Sequence, residues 1–198
     1  LAVSQPALHA RLLNVVRSEP NGEALFWRIS GADQKVSWLL GTIHLTDPRA
    51  HALSAPIGDA LTAARVLALE IDDIGPKAMQ KAFARNQPLL VQREDRRLDR
   101  LLTAADLQTL QRVSGGFGLS AAQTLAMRPW FLTTLLSLPG CEQARQHAGL
   151  KPLDMALHDQ AVARGIRVVG LETIVDQFTA MASLPVDTEL AWLRANLS

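Results

Sequence analysis

The sequence predicts an α/β (or α+β) fold, a small mixed sheet of about four strands that starts with a β-hairpin and is covered by helices. Three observations predict it. Two neighbouring segments alternate with period two on either side of a turn. A short helix then leads into an apolar run that turns acidic at its end. The middle of the chain is mostly helical, broken at prolines and glycines.

Ala24–Ser30 is the first segment with a clear period, with Leu25, Trp27 and Ile29 alternating against Phe26, Arg28 and Ser30. Lys35–His44 is the second, and it places Val36, Trp38 and Leu40 on one face. Gly31-Ala32-Asp33 supplies turn residues between them, so the pair reads as a β-hairpin. Leu39-Leu40 makes the second strand apolar enough to be covered on both faces. Pro56 then suits the first turn of a helix running to about Ala64, with Ser54 as its cap. Arg65–Asp72 reads as a buried strand, and the strand–helix–strand order predicts a parallel pairing through a crossover. From Pro76 to Ala144 helices are expected, with breaks at Pro88, Gly115-Gly116 and Pro129. Further helices are expected over Pro152–Arg164, Val175–Ala182 and Thr188–Asn196, with a short strand at Ile166–Leu171.

With 198 residues and 48% hydrophobic composition, the chain can build one sizeable core or two small ones, and residues 1–198 read as a single domain. A net charge of +1 gives no electrostatic reason to expect nucleic acid. Arg93, Arg96, Arg97 and Arg100 do cluster, but Glu94, Asp95 and Asp99 interleave with them. Cys141 is the only cysteine, so no intrachain disulfide and no Cys-rich zinc site can form. The longest apolar runs, such as Phe131–Leu138, are too short to cross a membrane. No Gly-rich nucleotide loop is present, so no nucleotide is expected. The Gly-x-Ser-x-Gly elbow of many esterases is missing too. The chain opens on Leu1 rather than Met, from which a removed leader and a periplasmic or secreted location are expected, with the cytoplasm as the alternative.

Two core strands end in side chains foreign to a core. One ends Gly41-Thr42-Ile43-His44 and the other Glu70-Ile71-Asp72. In open α/β sheets, ligands sit beyond the carboxyl ends of the strands. A histidine and a carboxylate there can bind a metal, or act as a base and its orienting partner. Gly41 would allow backbone or ligand to approach closely. The alternative is that His44 bonds to a loop and Glu70 caps a helix.

The same residues carry a family resemblance. Phe26-Trp27-Arg28-Ile29, Trp38–His44 and Asp47-Pro48-Arg49 resemble the opening of the TraB/PrgY/GumN family, which includes the Tiki proteins. Val66–Asp72 resembles that family's second block, and Met127-Arg128-Pro129-Trp130 its helical Pro-Trp segment. Leu153-Asp154, Val169–Thr173 and Gln177 are similar to a later block. The resemblance implies a fold related to the erythromycin esterase and ChaN-type proteins. It also implies an active site of two Gly-x-x-His motifs and a glutamate, in which Gly41–His44 is the first motif and Glu70 the glutamate. Tiki proteins are described as divalent-metal-dependent proteases, so the resemblance further implies a divalent ion (Mn, Co or Zn) on His44 and Glu70. A second Gly-x-x-His occurs nowhere in these residues, and the domain is therefore expected to be incomplete at its C-terminus.

Several other residues are open to two readings. Glu172 follows a short strand and either joins the cleft or serves the next helix, whose cap would be Thr173. Asp154 either opens a helix or faces the site. Arg49 and Arg128 could each hold an anionic group of a substrate, or be solvated and structural respectively. His158 and Asp159 are expected on the surface. His9, His51 and His147 belong to no constellation, and Cys141 has no histidine partner. The expected function is a metal-dependent, peptidase-like hydrolase with a peptide or small-molecule substrate. The alternative is a non-catalytic protein that binds a peptide or cell-envelope component on the same fold.

Overall fold

The computed structural model describes residues 5–33, 35–71, 73 and 75–197. Asp72, expected at the acidic end of the Arg65–Asp72 strand, lies outside the described residues. A helix that the sequence reading does not anticipate comes first, α1 (Pro6–Ser18), started by Pro6. None of its residues is buried, and Leu12, Leu13, Val15 and Val16 are exposed.

The expected hairpin follows. Strands β1 (Phe26–Ser30) and β2 (Val36–Leu40) pair antiparallel, with Trp27 opposite Leu39 and Arg28 opposite Trp38. The Gly31 N–H donates to the Lys35 carbonyl across the turn at 3.1 Å. Val36, Trp38 and Leu40 are half-buried on one face, while Ile29 and Leu39 are exposed on the other. The strand is therefore covered on one face and not on both. It also stops at Leu40, and residues Gly41–Asp47 continue as irregular chain.

Next come α2 (Pro48–His51), α3 (Ala55–Ala63) and β3 (Val66–Leu69). Ser54 occupies the N-cap position of α3, but its side chain makes no capping hydrogen bond. Then follow α4 (Pro76–Arg85), α5 (Gln87–Leu90), α6 (Ala104–Ser114), α7 (Ala121–Ala126), α8 (Pro129–Leu136) and α9 (Gly140–His147). Helix α10 (Leu153–Ala163) leads through Gly165, at φ +71°, into β4 (Arg167–Gly170). Helices α11 (Ile174–Ala182) and α12 (Val186–Leu197) close the description. The starts of α6, α7 and α11 are reciprocal capping boxes, Thr103 with Asp106, Ser120 with Gln123 and Thr173 with Asp176.

The four strands divide into two sheets of two. Strand β3 pairs in parallel with β4, not with β2, and Leu67 stands opposite Val168. The strand–helix–strand order from β2 to β3 brings both strands to the same apolar cluster without joining them in one ladder. That cluster holds Leu61, Leu153 and Leu157, with Leu40, Leu53, Leu67 and Ile166 packed against it. Strand β3 is accordingly only half-covered, and Val66 is exposed.

Two further clusters are built almost wholly from helices. Leu98, Leu102, Leu110, Leu132, Leu190 and Leu193 form one. Ala82, Leu90, Trp130 and Phe178 form the other, in which Phe83 stacks on Phe178 and meets Phe131 edge-on. Between α8 and α12 lies a buried ion pair. The Arg128 guanidinium donates to Glu189, a fully buried carboxylate that also accepts from the Trp130 N–H at 3.3 Å. Among the described residues no helix is long and apolar enough to cross a membrane.

Candidate functional site

The chain from Gly41 to Asp47 has no repeating hydrogen bonds of its own, so contacts from elsewhere in the chain hold it. At its start the Gly41 N–H donates to the Leu25 carbonyl at 2.8 Å. At its end the Thr46 N–H donates to the buried carboxylate of Glu142, on α9, at 2.6 Å. Burial pushes the Glu142 carboxyl up, but the contacts with Thr46, Arg145 and Gln146 outweigh it and hold the group below its ordinary value. The His51 ring Nε2 donates to the Leu45 carbonyl at 3.1 Å. Asp47 caps α2 and pairs with Arg49, whose side chain and backbone N–H hold the Asp47 carboxyl far below the usual carboxylate range.

Between these anchors, Asp154 from the first turn of α10 reaches Thr42 and His44. The Thr42 hydroxyl donates to Asp154 Oδ1 at 2.8 Å, and His44 Nδ1 lies 2.7 Å from Asp154 Oδ2. The other ring nitrogen, His44 Nε2, faces Glu70 Oε2 at 3.9 Å, longer than a hydrogen bond. Glu70 and Glu172 stand where the parallel ladder of β3 and β4 runs out, and the Glu172 N–H donates to the Glu70 carbonyl at 3.0 Å. Gln177, on the first turns of α11, bridges the two carboxylates. Its Nε2 is 2.9 Å from Glu172 Oε1 and 3.4 Å from Glu70 Oε2.

The exposures separate two roles within this group. The side chains of His44 and Glu70 are 66% and 63% exposed, whereas that of Asp154 is 20% exposed. Asp154 therefore supports from behind, while His44 Nε2 and Glu70 look outward. Each of those two atoms would stand about 2.0–2.2 Å from a shared tetrahedral ion, which would set them roughly 3.3–3.6 Å apart. The observed 3.9 Å is longer by a few tenths of an ångström, so the pair would have to close slightly to share one; a carboxylate on the far ring nitrogen is the usual support of a metal-bound histidine. The two donors could contribute to a ligand set without completing one. Among the described residues, no three His, Cys, Asp or Glu side chains are grouped to hold one unaided.

The remaining residues singled out in the sequence have other places. A Cβ at Gly41 would meet nothing closer than the Leu25 carbonyl oxygen at 3.7 Å, so no close approach requires glycine there. Arg49 is engaged by Asp47, the cap of its own helix. Arg128 is bound to Glu189 and ties α8 to α12, which makes it part of the helical core. Thr173 does cap α11, while Glu172 beside it turns to Gln177. His158 pairs with Asp159, which also binds Lys151. Cys141 is exposed. Within the interleaved basic cluster, Arg93 pairs with Asp95, and Arg97 with Glu94 and Asp99.

Thr42, Gln177 and Glu142 also hold this group, although the sequence reading gives none of them a role in the site. A signal exists for the first two. Thr42 lies inside the Gly-x-x-His tetrapeptide, and Gln177 stands one helical turn beyond the Thr173 cap, facing back toward the strand ends. Glu142 lies 96 residues from Thr46, and no local pattern marks it.

Fold and contacts together define an α/β domain whose histidine and carboxylates gather just past the ends of its strands. The profile of the TraB/PrgY/gumN family matches residues 25–198, and the chain belongs to that family. The matched span holds the whole His44 group and leaves α1 outside it. Comparison with curated proteins and with solved structures gives no match.

Proposed function

We propose that this protein is a divalent-metal-dependent hydrolase of peptidase type, working at His44 and Glu70. The observation that carries the reading is the facing pair His44 Nε2 and Glu70 Oε2, 3.9 Å apart, exposed, and supported from behind by Asp154 and Gln177. A divalent ion of the Mn, Co or Zn type, when bound, supplies polarisation of a substrate carbonyl and activation of water. The chain's own contribution is positional. Asp154 and Thr42 set the His44 ring, and Gln177 restrains Glu70, which serves as a ligand or as the base that takes a proton from water. Glu172, on the same glutamine, extends the acidic side of the cleft.

Calorimetric titration with Mn²⁺, Co²⁺ and Zn²⁺ tests this, together with cleavage of a fluorogenic peptide library. Only weak binding is expected in the wild type, because the second Gly-x-x-His is missing, and it should be lost in His44→Ala, with any cleavage lost alongside it. Equal affinity in wild type and variant would sink the reading.

A second reading has one observation in its favour. Ile43 and Leu171, neighbours of His44 and Glu172, are 55% and 75% exposed. Exposed apolar side chains of that size suit the capture of a peptide or envelope component without chemistry. A peptide-library pull-down that recovers the same ligands with wild type and His44→Ala would favour this reading over hydrolysis.

A further inference from the structure

We infer that Asp154, clamped by Thr42, is a positioning residue that stores the neutral His44 proton on Nδ1 and so keeps the Nε2 lone pair free. The inference rests on the site proposed above, but concerns only side chains of this chain. A neutral imidazole carries one proton, and the hydrogen bond made at one nitrogen decides which nitrogen bears it. A carboxylate can only accept, so at 2.7 Å from Nδ1 it requires the proton there. Nε2 is then an acceptor aimed at the Glu70 side, where 3.9 Å leaves no direct hydrogen bond to a carboxylate that could not donate to it. A free histidine side chain prefers the opposite tautomer, with its proton on Nε2 and no lone pair to offer at that atom.

Three features make Asp154 suited to this task. Its carboxylate lies in the first turn of α10, where the helix dipole favours negative charge. Leu153 and Leu157, on the same helix, are buried in the cluster that also receives Leu40 and Leu67. The carboxylate is thereby fixed relative to both strands that end near the site. Thr42 then occupies Oδ1 with a donated hydrogen bond of 2.8 Å, which leaves Oδ2 for the ring and sets the carboxylate's rotation. Thr42 and His44 are two residues apart on one irregular segment, so a single carboxylate pins both. The Gly-x-x-His segment therefore carries its own clamp residue in second place.

The tautomer can be read directly, without substrate or metal. Long-range nitrogen–proton NMR correlation, followed upward in pH until the His44 ring signals stop changing, observes the neutral ring. The wild type is expected to show a protonated Nδ1 and a bare Nε2 at His44. Asp154→Ala should move the His44 proton to Nε2. Thr42→Val should give a mixture of tautomers that Thr42→Ser restores to the wild-type pattern, a rescue that general loss of folding would not produce. A wild-type His44 with its proton on Nε2 overturns the inference at once, with no variant needed. An unchanged tautomer in a folded Asp154→Ala protein overturns it as well. Metal titration of the same proteins then separates this inference from the proposed function. If metal binds, Asp154→Ala should weaken it 10–100-fold. If none binds while the tautomer behaves as expected, the positioning role stands and the metal-dependent reading falls.

Discussion

The helical part and the strand part of this molecule use charged residues in opposite ways. In the helical part, Arg128 and Glu189 form an ion pair between α8 and α12, with Glu189 fully buried. In the strand part, His44 and Glu70 form an exposed pair too far apart for a hydrogen bond. A buried pair with its hydrogen bonds satisfied holds helices in register and has no access to a ligand. An exposed pair held apart contributes little to stability and leaves its polar atoms free to meet something else. Burial thus separates an ion pair that joins two helices from one whose polar atoms stay accessible.

The contrast can be broken from either side. The largest effect is expected at Glu189. Glu189→Ala leaves the Arg128 guanidinium without its buried partner and should lower the unfolding free energy by about 3–5 kcal/mol in chemical denaturation. A loss below about 1 kcal/mol would mean that the pair is not structural. Next come the leucines. Leu193→Ala, at a fully buried position, should cost about 2–5 kcal/mol. Leu39→Ala, on the open face of the hairpin, should stay within about 0.5 kcal/mol of wild type. Equal costs at the two positions would show that the hairpin's exposed face is covered in solution.

Smaller effects sharpen the account of the site. Thr173→Ala removes the capping box of α11, the helix that carries Gln177, and should cost about 1 kcal/mol. Glu70→Ala should change stability by no more than about 0.5 kcal/mol while divalent-ion affinity, measured by calorimetry, falls. A large loss of stability in that variant would move Glu70 into the structural class. The last prediction concerns acid. Glu142 is held below its ordinary value when folded, so its contribution is fully present above the unfolded carboxylate pKa of about 4–4.5. It is lost as pH falls through the lower, folded value. Thermal melts followed downward from about pH 5 should therefore show a steeper decline in wild type than in Glu142→Gln.

The parts of this architecture legible from sequence are those governed by neighbours along the chain. Alternation from Leu25 to Leu40 predicts the hairpin, and Thr173 predicts the start of α11, because side-chain direction and capping depend on residues two to four positions away. Family motifs around Gly41–His44 and Glu70 likewise stand out in the sequence. Arg128 shows where such reading ends. An arginine before Pro129 is open to either role, and only the arrival of Glu189 from 61 residues away makes it a core residue. The single four-stranded sheet fails for the same reason, since which strand edges meet depends on how helix α10 seats β4 beside β3.

By itself, then, the sequence determined the α/β class, the hairpin, the run of helices and the residues worth watching at the ends of two strands. Tertiary structure alone decided how those residues act on one another. It set Asp154 behind His44 across 110 residues of chain, suspended Glu70 and Glu172 from one glutamine, and tied the His44 segment to Glu142. The physical reason is one of range. Periodicity and caps are local and are written in spacing, whereas a hydrogen bond between distant segments exists only once packing has brought its two ends within about 3 Å.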